Sequence, residues 1–154
     1  MFEAEPKSIL LVEDNSDDEK LTLRALRQAE IRTEVAVVRD GVEALEYLFR
    51  EGRFAGRPIP VPELILLDLK LPKINGLEVL ERLRSHEATR MVPVVIMSSS
   101  DEESDIVNGY RLGANSYIRK PVEYQVFMDS IRQLVMYWLQ LNCPATHGFV
   151  GVRI

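Results

Sequence analysis

Five short apolar runs, each followed by a stretch with helical spacing, constrain the fold of this chain more than any other feature. The runs lie at residues 9–12, 34–38, 64–67, 92–97 and 117–118, and the third, Leu64-Ile65-Leu66-Leu67, has no polar member. An apolar run without alternation is the pattern of a strand covered on both faces. Between the runs, Leu45, Leu48 and Phe49 fall on one helical face, as do Leu77, Leu80 and Leu83. Capping-box spacings predict helix starts at Ser16 with Glu19, Asp40 with Glu43 and Ser100 with Glu103. Strand–helix alternation repeated five times predicts an α/β fold, a doubly wound five-stranded parallel sheet with helices on both faces. The length of 154 residues suits one such domain.

In an open parallel sheet, ligands bind beyond the carboxyl ends of the strands, where the strand order reverses. The polar residues of this chain gather at those ends. The first run is followed by Glu13 and Asp14, the third by Asp68, the fourth by Ser98, Ser99 and Ser100, and the fifth by Lys120 and Pro121. If the first, third, fourth and fifth strands are central and adjacent, these groups converge on one edge. Close carboxylates repel and raise one another's pKa unless a cation sits among them. Hard oxygen ligands in a partly hydrated pocket suit Mg²⁺, which takes one or two carboxylates and keeps several waters. With the metal held mainly by Asp14 and Asp68, Asp68 keeps an oxygen free to attack phosphorus, while Lys120 and the Ser98 hydroxyl neutralise the transferred group. The spacing predicts a metal-dependent phosphoacceptor aspartate. Taken singly, each group has a plainer use. Acids suit a helix start, Ser100 suits a cap, Lys120 suits the surface and Tyr117 suits half-buried packing.

The net charge of −5 argues against nucleic-acid binding, which needs clustered Lys and Arg. One cysteine, Cys143, excludes an internal disulfide, and two histidines are too few for a structural zinc site. No apolar stretch reaches the length of a membrane span and the first residues lack a signal-peptide core, so the expected setting is cytoplasmic, with no membrane partner.

The stretches "LLVEDN", "LILLDLKLPKINGLEVL", "PVVIMSSS" and "SYIRKP" resemble the receiver domain of bacterial two-component response regulators, in order and in spacing. The resemblance spans residues 7–141 and implies a flavodoxin-like receiver fold. It implies that Asp68 accepts a phosphoryl group from a sensor histidine kinase, and that Glu13, Asp14, Asp68 and the backbone carbonyl of Lys70 hold Mg²⁺. It further implies that Ser98 is the switch hydroxyl, that Lys120 pairs with the phosphate before a cis peptide to Pro121, and that Tyr117 is the switch aromatic. Glu13 stands where the family more often has Asp, and Lys70 and Ser100 flank the path of a hydrolytic water.

A last helix over residues 123–141 is expected, followed by a tail at 142–154 too short for a helix-turn-helix, so no output domain is expected. Such a receiver would signal by changed protein–protein interaction or phosphorelay, and would catalyse only its own phosphorylation and dephosphorylation. Phe127, Ile131, Leu134 and Trp138 make a core stripe, yet Leu134, Val135, Met136, Tyr137, Trp138 and Leu139 are apolar on every side. That predicts a homodimer through the last helix, unless Phe149, Val150 and Val152 of the tail fold back over it. The extended helix and the Pro- and Arg-rich segment before the third strand are similar to receivers paired with bacterial phytochromes. Two further readings stay open. One is a phosphorylation-independent scaffold. The other is a metal-dependent phosphohydrolase, in which Lys70 would stand where a second acid is needed.

Overall fold

The computed structural model describes residues 5–120 and 123–145. Strands β1 (Lys7–Val12), β2 (Thr33–Val38), β3 (Leu64–Leu67), β4 (Val94–Ser98) and β5 (Ser116–Arg119) form one parallel sheet, in the order β2-β1-β3-β4-β5. Helices α1 (Ser16–Gln28), α2 (Gly41–Phe49), α3 (Gly76–Arg84), α4 (Glu103–Arg111) and α5 (Tyr124–Met136) alternate with the strands. The doubly wound sheet predicted from the apolar runs is the observed architecture. Chain order reverses between β1 and β3. β1, β3, β4 and β5 are adjacent as expected, although β5 lies at an edge rather than in the centre.

Alternate strand residues feed two cores, as the period of two requires. Leu10, Val12, Ile65, Leu67 and Ile96 pack with Leu45 and Leu48 of α2 and Leu80 and Leu83 of α3. Ile9, Leu11, Leu64, Leu66 and Val95 pack on the opposite face with Leu26 of α1 and Phe127 and Ile131 of α5. All four residues of β3 are buried, so each contributes about 1.5–3 kcal/mol of hydrophobic stabilisation.

Two of the three predicted helix caps are displaced. Asp40 caps α2 as expected, its Oδ1 accepting the Glu43 N–H at 2.7 Å. The cap of α1 is Asn15, whose Oδ1 accepts the Asp18 N–H at 2.9 Å, so Ser16 is the first helical residue instead. Asn is as good a cap as Ser, and starting one residue earlier leaves Glu13 and Asp14 at the strand end. Ser100 does not cap α4, which starts after Glu102. Its hydroxyl accepts the Glu102 N–H and donates to Asp105, tying the preceding loop to the helix.

The last helix continues from α5 into a π-helical turn at Tyr137–Leu141, matching the predicted length. Its predicted interface set must be corrected. Leu134, Val135 and Leu139 are buried in the core shared by α1, α5 and the sheet, with Trp138 packed partly against it. The sheet and α1 cover the inward half of the helix, leaving Met136, Tyr137 and Leu141 exposed. Pro121 and the tail residues Phe149, Val150 and Val152 lie outside the described residues. Among the described residues no helix is long and apolar enough to cross a membrane.

Candidate functional site

Backbone hydrogen bonds carry the sheet beyond the formal strand ends. The Glu13 N–H donates to Val38 O at 3.0 Å, the Asp68 N–H to Val12 O at 3.0 Å, and the Lys120 N–H to Ser98 O at 2.7 Å. Three of the predicted site residues are therefore fixed as extra rungs of the ladder. Ser98 is the last residue of β4 and is fully buried. α3 begins against the backbone of Asp68. A Cβ at Gly76 would lie 2.2 Å from Asp68 O and 2.7 Å from Leu69 Cα, so the close approach requires glycine.

Carboxylate oxygens of Glu13, Asp14 and Asp68 lie within 4.8 Å of one another, with Glu13 and Asp68 buried and Asp14 exposed. Asp68 Oδ1 accepts the Lys70 N–H at 3.2 Å, which ties the Lys70 backbone to the carboxylate. The Lys120 ammonium donates to Glu13 Oε1 at 2.7 Å and to Asp18 Oδ2 at 2.8 Å, and stands 3.5 Å from Asp68 Oδ2. Ser98 Oγ accepts the Ser100 N–H at 3.2 Å, and the Tyr117 hydroxyl donates to Ser100 O at 3.0 Å. Tyr117 thus reaches the loop that carries the buried serine.

Burial, followed by the hydrogen bond with Asp68, pushes the Glu13 carboxyl up to about 8 despite the nearby ammonium. Burial works against the charge on Lys120, but its bonds to Asp18 and Glu13 outweigh it and hold the ammonium up at about 12. Negative charge at this edge exceeds what one lysine neutralises. Three hard oxygen donors with surplus charge fit a divalent cation of the Mg²⁺ type.

Glu13, Asp14, Asp68, Ser98 and Lys120 are thus brought together, with Tyr117 one loop away. Asp18, which sequence reasoning missed, joins them from the first turn of α1. No local spacing marked it, because Asp14 precedes the cap of α1 at Asn15 and the two acids do not share a helix.

The topology and its edge cluster define the class, a receiver domain. The chain belongs to the response regulator receiver domain family, whose model matches residues 9–132. It is 35% identical over 141 residues to response regulator Rcp1 of Synechocystis sp. (strain ATCC 27184 / PCC 6803 / Kazusa), covering 91% of this chain and 95% of Rcp1. The solved Mn²⁺-bound form of Rcp1 matches with a TM-score of 0.83 and 34% identity, covering 90% of this chain and 99% of that one. The phosphorylated cyanobacterial phytochrome response regulator RcpA matches with a TM-score of 0.85 and 39% identity, over 92% of this chain and 99% of that one. The bacteriophytochrome response regulator RtBRR is 53% identical with a TM-score of 0.74, over 91% of this chain and 84% of that one. Resemblance and family agree.

Proposed function

We propose that this response regulator receives a phosphoryl group on Asp68 from a phosphohistidine of a sensor kinase. The observation that carries the reading is the convergence of Glu13, Asp14 and Asp68 oxygens within 4.8 Å, beside Lys120 and Ser98. An Asp68 oxygen attacks phosphorus, the P–O bond forms as the P–N bond breaks, and the imidazole leaves with the electron pair. Lys120 neutralises charge on the phosphoryl oxygens, and the Ser98 hydroxyl offers a donor to them. Glu13, Asp14, Asp68 and the Lys70 carbonyl would hold the cation, proposed to be Mg²⁺. When bound, it offsets the charge that carboxylate and phosphoryl group bring together. Water attack on the same phosphorus returns the carboxylate and inorganic phosphate. The chain in this reading turns over no outside substrate beyond its phosphodonor.

The names of RcpA and RtBRR support a phytochrome-type kinase as the partner, met in the cytoplasm. Exposed Met136, Tyr137 and Leu141 support a homodimer through the end of the last helix. Tyr117, bonded to the loop after Ser98, is the proposed relay from phosphate to surface.

The test is incubation with Mg²⁺ and acetyl phosphate, read by intact mass, with Asp68→Asn and metal-free controls. A single phosphoryl adduct that needs both Asp68 and Mg²⁺ is expected. No adduct on folded protein would overturn the reading in favour of a phosphorylation-independent scaffold.

A further inference from the structure

We propose that Asp18 is a positioning residue that parks the Lys120 ammonium away from Asp68 until a phosphoryl group arrives. This rests on Asp68 being the phosphoacceptor. An ammonium has three N–H donors. Two are used at full hydrogen-bond distance, on Glu13 Oε1 at 2.7 Å and Asp18 Oδ2 at 2.8 Å. The nearest Asp68 oxygen, at 3.5 Å, lies beyond a normal hydrogen bond. Lys120 is therefore held on the β1–α1 side of the pocket, short of the atom it must serve.

The two anchors differ in how readily they let go. The Glu13 side chain is 1% exposed and meets water poorly on release, whereas Asp18 is 38% exposed and rehydrates cheaply. Asp18 is the exchangeable partner. Anionic oxygens appearing on Asp68 compete with it for the same ammonium, and the lysine shifts across as Asp18 turns to solvent. Asp18 makes no contact with the phosphoryl group in this scheme. It sets how much of Lys120's attraction must be taken from another acid before it helps the reaction.

Neutralising Asp18 then favours the phosphorylated arrangement. With saturating Mg²⁺, Asp18→Asn should raise the rate of phosphorylation by phosphoramidate about fivefold, the weight of one half-exposed ion pair. It should lower the half-saturating beryllofluoride concentration, read by amide NMR shifts, by a similar factor. Asp18→Glu keeps a charged acceptor and should stay near the unsubstituted protein in both readings. Unchanged or slower phosphorylation in folded Asp18→Asn, or beryllofluoride binding that does not tighten, overturns the parking role while leaving Asp68 as phosphoacceptor. An unsubstituted protein that takes neither phosphoryl group nor beryllofluoride overturns both.

Discussion

Glu13 is where charge and burial conflict most openly at the site. An ordinary glutamate releases its proton near 4.5, but in the folded chain burial and Asp68 push Glu13 up to about 8. Between those values the metal-free folded state holds a proton that the unfolded chain has lost. The stability this confers is full below 4.5 and disappears as pH rises through about 8. Melting temperature of the metal-free protein should therefore fall across that window. In the proposed ligand set Mg²⁺ takes Glu13 as the carboxylate, so its binding should displace the proton, and the stabilisation it gives should grow with pH over the same range. Thermal melts at several pH values, with and without Mg²⁺, check both trends, and a Mg²⁺ effect independent of pH would remove Glu13 from the ligand set. Glu13, Asp14, Asp68, Ser98 and Lys120 were legible because each follows an apolar run at a strand end. Asp18 was not, because its contact with Lys120 spans 102 positions and depends on where the first turn of α1 lies relative to the end of β5.

Helices were legible as apolar stripes and less so at their ends. Asn15 and Ser16 are both good caps, and sequence spacing does not choose between them; the strand end does, by fixing where the chain must turn. Gly76 shows what an element boundary can demand. A Cβ there would strike the carbonyl of Asp68 and the Cα of Leu69, backbone atoms that cannot move aside. Gly76→Ala should cost about 1–3 kcal/mol of stability, read by urea denaturation, and should slow phosphorylation because α3 displaces the acceptor. Gly109 is the control. Its Cβ would meet Ile96 Cδ1 at 2.8 Å, the tip of a flexible side chain, so Gly109→Ala should cost less than Gly76→Ala. Equal costs would mean that the contact with Asp68 is not what constrains Gly76.

At the scale of the molecule, alternation of strands and helices predicted the layers, and Asp68 at the end of a wholly apolar strand pointed to the edge where the acids gather. The opposite end was not legible. There Arg84, at the close of α3, donates to the carbonyls of Arg90, Val92 and Gly113 and to the side chain of Asn115. It ties the end of α3 to the segment just before β4 and to the remote segment before β5, and no local pattern announces such a clamp. The last helix was misjudged for a related reason. Composition shows that a segment is apolar, whereas the packing partner decides which half stays dry. Exposed Met136, Tyr137 and Leu141, the last 75% exposed, form the surface proposed for self-association. Leu141→Glu should shift any dimer toward monomer in sedimentation without lowering melting temperature much, since the side chain buries little within its own subunit. An unchanged dimer would move the interface elsewhere.

Glu13, Asp68 and Lys120 continue the sheet's own hydrogen-bond ladder, and Ser98 ends one of its strands. The groups proposed to react are therefore hung from the part of the molecule least free to drift, while the outer faces of α1, α4 and α5 carry none of them. Apart from Asp18 in the first turn of α1, substitutions on those faces should leave the proposed chemistry unchanged. A lineage can re-address such a domain to a new sender or listener and inherit the reaction intact.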